Sequence, residues 1–215
     1  MKTGLISAGL LSLLAVPAGA VTFTNPAPIV IPDDAETTSD LTVAGTTGTI
    51  TGLTLTLNNL SHTFPDDLVF GLLNVTTNLG FVFMSGVGGS TGVSNVTVTF
   101  SDAAGDFAPE SFVDGALTSG TYLPSNYYGF AFNAFDNATA FADFNGTSAN
   151  GLWRLYVLDT FAADVGTVAG GWSLDFTLAN AAVPEPATWG MMIVGFGLAG
   201  TAVRRRRQRE HAVTA

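Results

Sequence analysis

The alternation of apolar and polar side chains constrains the fold of this chain more than any other feature. In the stretch TITGLTLTLNNL, Leu53, Leu55 and Leu57 alternate with threonine and asparagine. Successive side chains of a β-strand point to opposite faces, so this period places the leucines on one buried face. The pattern recurs at these apolar positions: Val96, Val98 and Phe100; Trp153, Leu155 and Val157; Trp172, Leu174, Phe176 and Leu178. Short alternating strands separated by Gly, Asn and Asp clusters predict an all-β antiparallel sandwich or barrel.

The aromatic content excludes a disordered Thr/Gly-rich stalk. The chain has 16 Phe, 4 Tyr and 3 Trp, which is too much apolar area to leave in water. Ten of these rings lie between residues 106 and 144, a segment that we expect to cross over the sandwich. Cysteine is absent, so neither disulfides nor thiolate chemistry can contribute.

The N-terminal residues have the layout of a secretory signal peptide. The stretch MKTGLISAGLLSLLAVPAGA has one early cation, an apolar run and small residues before Ala20. A short apolar helix and small side chains at the cleavage site are what secretion requires. We therefore predict a signal helix over residues 1–20, cut after Ala20. The alternative, a core helix, is weaker because the stretch has no polar face.

The body that remains, residues 21–182, is strongly acidic. It holds 15 acidic residues against a single basic one, Arg154. Such a surface repels phosphate backbones and anionic lipid, which argues against nucleic-acid binding, and it attracts cations such as calcium. Its first part, residues 21–40, carries three prolines and predicts a first strand followed by an extended arm at a sheet edge.

The C-terminal residues differ from the body. Residues 187–203 are 17 consecutive residues without charge, with Trp189 near one end and Arg204 to Arg207 after the other. A helix of this length is roughly 25 Å long, at the short end of what spans a bilayer. We predict a single transmembrane helix over 187–203, with the arginines on the cytoplasmic side and the body outside.

The residues before this helix identify the tail more closely. VPEPATWGMMIVGFGLAGTAVRRRR, within residues 183–209, resembles the PEP-CTERM sorting signal of Gram-negative bacteria. The resemblance implies this set of signal residues: Pro184, Glu185, Pro186, Trp189, Arg204, Arg205, Arg206 and Arg207. It implies recognition by a membrane-embedded exosortase, cleavage near Pro-Glu-Pro, and an inner-membrane intermediate that is delivered to the cell surface, outer envelope or extracellular matrix. Such a tail is sometimes named an ice-binding protein C-terminal domain, but the sequence shows no regular threonine ladder to support ice binding.

The body resembles a second family. The blocks LTLTLNNLSHTFPDDLVFGLL, SNVTVTFSDAA, GTYLP and FNGTSANGLWRLYVLDTFAADVGTVAGGWSLDFT are similar to the P domain, or P/Homo B domain, of kexin- and furin-like convertases. The similarity covers about residues 50–178. It implies a jelly-roll β-sandwich and a non-catalytic module that stabilises or targets a companion. Residues 73–79 depart from the family pattern, and residues 106–142 are longer and richer in Phe.

Calcium is the cofactor that the acidic loops suggest. Calcium binds six to eight oxygens, and loops with several carboxylates and free carbonyls supply them. The candidate ligands are Asp66, Asp67, Asp102, Asp106, Asp159 and Asp164. No EF-hand spacing occurs, so the alternative that these carboxylates cap turns stays open. One body histidine and no cysteine disfavour transition metals.

The body offers little for catalysis. Its single histidine, His62, and the motif GTSAN around Ser148 would need a carboxylate and an oxyanion hole to form a triad. Both residues have structural explanations in the P-domain resemblance, so we predict that the protein is not an enzyme.

Three functions remain. The favoured one is an exported, structural or adhesive component of the envelope or biofilm matrix, in contact with exopolysaccharide. The second is a carbohydrate-binding module that uses exposed rings between Tyr122 and Phe144. The third is an accessory P domain for a separately encoded secreted protease.

Overall fold

A computed structural model describes residues 19–110, 115–135, 137–179, 191–201 and 204. The chain divides into two compact units, Met1–Asn180 and Ala181–Ala215. The described part of the first unit is built from strands, which confirms the all-β prediction. In the second unit, residues 191–201 are helical. Residues 1–18 of the predicted signal helix lie outside the described residues.

Twelve strands are described in the first unit. In chain order they are β1 (Gly19–Asn25), β2 (Ile29–Ile31), β3 (Glu36–Val43), β4 (Thr49–His62), β5 (Leu68–Asn74), β6 (Leu79–Ser85), β7 (Val93–Ser101), β8 (Gly120–Tyr122), β9 (Ser125–Asn126), β10 (Gly151–Asp159), β11 (Gly166–Val168) and β12 (Trp172–Ala179). Short 3₁₀ turns occupy Pro65–Asp67 and Phe141–Phe144.

The first sheet is organised around β4. One edge of this strand pairs with β12 and then with β11, and the other edge pairs with β7. Strand β1 lies outside β12, β2 lies outside β11, and β8 lies outside β7. All these pairs are antiparallel except β7 with β8.

The second sheet has the order β3-β10-β5-β6-β9. Its pairs are antiparallel except the short parallel pair of β6 with β9. The proline-rich arm predicted for residues 21–40 contains β1, β2 and the first part of β3. Both β1 and β3 are edge strands, which agrees with the prediction that this region lies at sheet edges.

The two sheets face each other across one apolar core, so the fold is a sandwich. The ring of Trp153 in the second sheet lies 5.3 Å from that of Phe176 in the first, between centroids. Phe83 and Phe100 make a second contact between the sheets at 5.0 Å. The alternating residues predicted to face inward are buried, except Val96, which is partly buried and packs against the core. The jelly-roll topology implied by the P-domain resemblance stays a prediction.

The outer face of the second sheet is covered by part of the segment between residues 106 and 144. Phe132 and Phe135 stack on each other and pack against Tyr156 of β10. The cover leaves every residue of β5 buried, and at Gly71 a Cβ would lie 2.8 Å from the Phe132 ring. The expectation that this segment crosses over the sandwich agrees with this cluster.

One end of the sandwich holds the start of β1 and the end of β12, since Gly19 pairs with Leu178. Three loops lie at this end: residues 44–48, 75–78 and 145–150. We call these loops, with the adjoining strand termini, the β1/β12 end. Strand β1 already begins at Gly19, so the last two residues of the predicted signal peptide belong to this strand.

Candidate functional site

The opposite end of the sandwich gathers four of the six predicted calcium ligands. Asp66 and Asp67 lie in the 3₁₀ turn that precedes β5, and Asp159 ends β10. Leu68 pairs with Asp159, so the turn and the end of β10 are neighbours. Asp164 follows in the loop before β11. We call this group of carboxylates, together with His62, the acidic end.

His62 connects the two sheets at the acidic end. It is the last residue of β4, and its Nε2 lies 3.2 Å from Asp159 Oδ2, with both side chains fully buried. The contact lacks hydrogen-bond geometry, so it is an electrostatic contact between two buried groups. His62 Nδ1 accepts a hydrogen bond from the Phe64 N–H at 3.2 Å. A Cβ at residue 166 would lie 2.1 Å from the His62 ring, so Gly166 makes room for it.

The pKa of Asp67 depends on its acidic neighbours. Burial and the negative charges of Asp159, Asp164 and Asp66 together raise its pKa to about 6, and His62 acts in the opposite direction. Its backbone carbonyl accepts two hydrogen bonds from Thr160, from the N–H and from the hydroxyl. The turn is therefore fixed against the loop that follows β10.

Asp66 is buried beside this group. Its Oδ2 accepts a hydrogen bond from the Tyr128 hydroxyl at 2.5 Å. Its Oδ1 has no hydrogen-bond partner among the described residues, and neither does Asp159 Oδ2. A buried oxygen without a partner is costly, so these two atoms are the places where a proton, a water molecule or a cation would be stabilising.

A further carboxylate at the acidic end, Asp33, was not predicted. Its Oδ1 accepts hydrogen bonds from the N–H groups of Ala163 and Asp164 at 2.8 and 3.4 Å. Asp164 Oδ1 accepts one from the Thr63 hydroxyl at 2.7 Å. These bonds hold the loop between β10 and β11. The Asp33-Asp34 doublet was a visible signal, but it lies about 130 residues away in sequence.

The other two predicted ligands lie elsewhere. Asp102 accepts hydrogen bonds from the N–H groups of Phe141 and Ala142, at 3.3 and 2.7 Å, and so caps a 3₁₀ turn. Asp106 is exposed in the loop after β7. Within the described ranges, no group of three or more His, Cys, Asp or Glu side chains has an arrangement that could hold a metal ion. Turn capping, the alternative left open by the sequence, accounts for Asp102.

The geometry offers no triad around His62. One ring nitrogen accepts from a backbone N–H and the other faces Asp159. Across the part of the chain that the structure describes, no hydroxyl group is hydrogen-bonded to this ring. Ser148 lies instead in a turn, where its hydroxyl accepts from the Asn150 N–H at 3.1 Å. A general base needs a free ring nitrogen within reach of the nucleophile, and His62 lacks this arrangement.

The rings between Tyr122 and Phe144 are mostly internal. Phe132, Phe135, Phe141 and Phe144 are at most 6% exposed. Tyr128 is 55% exposed, but its hydroxyl is bonded to Asp66. Rings within the core do not form a sugar-stacking platform, so the observation that motivated a carbohydrate-binding module is lost.

Most of the predicted sorting-signal residues lie outside the described residues: Pro184, Glu185, Pro186, Trp189, Arg205, Arg206 and Arg207. Arg204 is described and is exposed in a helical conformation. Of the predicted transmembrane helix, residues 187–190, 202 and 203 are likewise outside. Among the residues that are described, no helix is both long enough and apolar enough to cross a membrane.

Comparison with protein families decides the identity of the tail. Residues 182–207 match the family described as PEP-CTERM protein-sorting motif. The chain carries a PEP-CTERM sorting signal. The resemblance inferred from Pro184 to Arg207 is thereby confirmed. A PEP-CTERM signal implies a protein of Gram-negative bacteria that is exported, transiently anchored in the membrane and processed by exosortase.

The body of this PEP-CTERM protein has no comparable assignment. No curated protein matches the chain. A structural match is the crystal structure of the Aeromonas sobria serine protease in complex with its chaperone, at 16% identity and a TM-score of 0.39. The match covers 81% of this chain and only 28% of that one. So low a score carries no argument about the fold or the function of this chain.

Proposed function

We propose that the mature protein is a non-enzymatic β-sandwich module that exosortase delivers to the cell surface or to the exopolysaccharide matrix, where it has a structural or adhesive role. The observation that carries this proposal is the PEP-CTERM signal at residues 182–207. The N-terminal signal peptide predicted over residues 1–20 agrees with it, since both segments direct a protein out of the cytoplasm.

The non-enzymatic assignment is supported by His62. Burial of the ring, its backbone hydrogen bond and its contact with Asp159 describe a structural residue. A histidine without a nearby nucleophile cannot activate one.

The experiment that tests export and processing is mass spectrometry of the protein from cells with and without exosortase. The proposal expects a C-terminus close to Pro184–Pro186 in the first strain and an intact C-terminus at Ala215 in the second. An intact C-terminus in both strains would refute the processing. Fractionation of the same cultures then shows whether the processed body is found in the matrix.

A carbohydrate-binding role is the second candidate, on a different surface from the one first expected. The outer face of the first sheet carries a row of hydroxyl groups, one from each of five neighbouring strands: Thr24, Ser173, Thr56, Thr99 and Thr121, of which Ser173 is buried. The hydroxyls of Thr56 and Thr99 are 2.9 Å apart. The row runs across the strands, so no threonine ladder is visible along the sequence. Such a face supports hydrogen bonds to neutral sugar hydroxyls.

The hydroxyl row can be tested with variants that keep the shape of the strands. Thr56→Val/Thr99→Val removes two central hydroxyls, and Thr38→Val on β3 of the second sheet is the matched control. Affinity electrophoresis in gels containing the organism's own exopolysaccharide should retard the wild type and the control but not the double variant. Equal mobility of all three proteins would exclude this surface.

Calcium at the acidic end stays a proposal. The unpartnered oxygens of Asp66 and Asp159 and the raised pKa of Asp67 support it. A bound ion stabilises the folded state, so calcium should raise the melting temperature and chelator should lower it. Asp66→Asn should weaken the response. Identical melting temperatures with calcium and with chelator would refute the proposal.

The accessory role for a separate protease stays a prediction. No contact in the described residues supports it. Copurification of a secreted protease with the tagged mature body would favour it over the structural role.

A further inference from the structure

The last strand of the sandwich ends almost at the sorting signal. β12 ends at Ala179, and the PEP-CTERM match begins at residue 182. β12 is hydrogen-bonded to β1 on one side and to β4 on the other, and its Leu174, Phe176 and Leu178 are buried in the core. Residues up to Ala179 therefore cannot leave the folded body without breaking the core.

The short connection limits the reach of the signal. From Ala179 to Pro186 there are seven residues, which span at most about 24 Å when fully extended. An enzyme that binds Pro184–Pro186 in an extended conformation uses part of this length inside its own cleft. The β1/β12 end must then lie close to the enzyme surface during cleavage.

The loops of the β1/β12 end contain no charged residue. Their sequences are AGTTG at 44–48, VTTN at 75–78 and NGTSAN at 145–150. The first and third loops are joined by two hydrogen bonds between Asn150 and the backbone of Thr46. The second is joined to β10 by the bond from the Val75 N–H to the Leu152 carbonyl. The three loops thus form a fixed surface without charge of its own, and two exposed carboxylates, Asp102 and Asp143, lie beside it at the 3₁₀ turn that precedes loop 145–150.

The acidic end has the opposite composition. Seven carboxylates lie there among the described residues: Asp33, Asp34, Glu36, Asp66, Asp67, Asp159 and Asp164. An anionic lipid surface repels such a group, whereas it tolerates a neutral one. The end that carries the sorting signal is therefore also the end that can approach lipid headgroups.

We propose that loops 44–48, 75–78 and 145–150 form the surface that the folded body presents to exosortase while the sorting signal is cut. This inference rests on the proposed processing by exosortase. The enzyme is embedded in the membrane, so its exposed face lies among lipid headgroups, and a neutral surface on the substrate fits that position.

The first experiment adds charge at this surface. Thr47 and Thr77 are exposed, and among the described residues neither hydroxyl group makes a hydrogen bond; the Thr77 N–H donates to Asn74 Oδ1. Thr47→Glu/Thr77→Glu should slow the appearance of the processed form in a pulse-chase experiment by roughly fivefold or more, since charges close to an anionic surface are repelled. Thr91→Glu/Ser94→Glu adds the same charge at exposed positions outside this surface and should leave the rate unchanged.

A spacer shows whether the charged variant is processed slowly because its charges lie close to the enzyme or because the body misfolds. Ten Gly and Ser residues inserted after Asn180 add roughly 15–20 Å of reach. In the Thr47→Glu/Thr77→Glu background the spacer should restore processing to within about twofold of the wild type. Wild-type processing of the variant without the spacer, or a failure of the spacer to restore it in a body that melts normally, would overturn the proposal.

Cross-linking identifies the partner. A photoreactive residue at position 77 should form an adduct with exosortase, and one at position 94 should not. Adducts only with lipid or with a second copy of the chain would overturn the proposal. If the wild-type C-terminus is the same with and without exosortase, the proposed processing is refuted. Normal processing with no adduct at position 77 refutes only the proposed contact surface.

Discussion

The two ends of the sandwich are formed by different loops, and they hold their polar groups in different ways. At the acidic end, Asp66, Asp67 and Asp159 are buried next to one another, and Asp67 has a raised pKa. At the β1/β12 end, neutral loops are closed by asparagine amides that bond to the backbone, as Asn150 does to Thr46. The acidic end therefore carries the cost of buried carboxylates, which depends on pH and on cations, whereas the neutral loops hold no buried carboxylate.

The buried contact of His62 with Asp159 should give the largest effect. His62→Ala removes the group that faces Asp159 Oδ2 and leaves that carboxylate buried without a counter-group. We expect a loss of about 3–4 kcal/mol in the free energy of unfolding, measured by urea denaturation with Trp fluorescence.

The matched control for His62→Ala is an exposed ion pair. Arg154 donates to Asp40 through two hydrogen bonds of 2.6 and 2.8 Å, and both side chains are partly exposed. Asp40→Ala should cost about 1 kcal/mol or less. Equal losses for the two variants would show that His62 is no more important than a surface residue.

Gly166 should give the second largest effect, also at the acidic end. A Cβ there would lie 2.1 Å from His62 Cδ2 and 2.7 Å from the Ser61 carbonyl oxygen. Gly166→Ala should cost about 2–3 kcal/mol because the ring and β4 must shift. Gly105→Ala, where nothing lies within 4 Å of the new Cβ, should be close to neutral. A neutral Gly166→Ala would mean that the His62 ring can move without cost.

The comparison of the two ends also shows what the sequence could predict. Alternation at Leu53, Leu55 and Leu57 predicted a strand and its buried face, because side-chain direction depends only on local period. Which strands become neighbours depends on contacts between distant residues, and β4 pairs with β12, β11 and β7 at once. Strand existence was therefore predictable and strand order was not.

The same reason limited the site prediction. Asp66, Asp67, Asp159 and Asp164 were selected as carboxylates in loops, and the fold brings them together. Asp102 was selected by the same criterion but caps a turn. Composition cannot separate these cases, since both use a carboxylate in a loop, and only the strand register places Asp159 beside Leu68. Asp33 was missed because its partners are distant in sequence.

The pH dependence of stability should show a smaller effect at Asp67. Its pKa is raised from 3.8 to about 6, so the folded state binds this proton more tightly than the unfolded chain does. Its contribution to stability is complete below about pH 4 and is lost as the pH rises through about 6. Asp67→Asn should make the protein more stable than the wild type at about pH 7.5 by roughly 1–2 kcal/mol, after allowance for solvent screening.

The measurement for Asp67→Asn is urea denaturation of both proteins at about pH 4.5 and about pH 7.5. The gain should be present at the higher pH and much smaller at the lower one. A constant difference between the two proteins at both values would show that charge repulsion at Asp67 is not its cause.

The smallest effect should come from Asp143, which lies in the 3₁₀ turn before loop 145–150 and titrates in the opposite sense to Asp67. Backbone N–H groups of Thr139 and Ala140 donate to its carboxylate and hold its pKa below the usual value. Its contribution to stability is therefore present above about pH 4 and is lost as the pH falls through the lowered pKa. Asp143→Asn keeps an acceptor but loses the charge, so it should cost about 0.5 kcal/mol in the free energy of unfolding at neutral pH and less at about pH 3.

Asp106→Asn, at another exposed carboxylate, is the control and should change stability little at either pH. A cost for Asp143→Asn that is the same at both pH values would mean that shape rather than charge matters at this turn, and the contrast in charge between the two ends would then be confined to the acidic end.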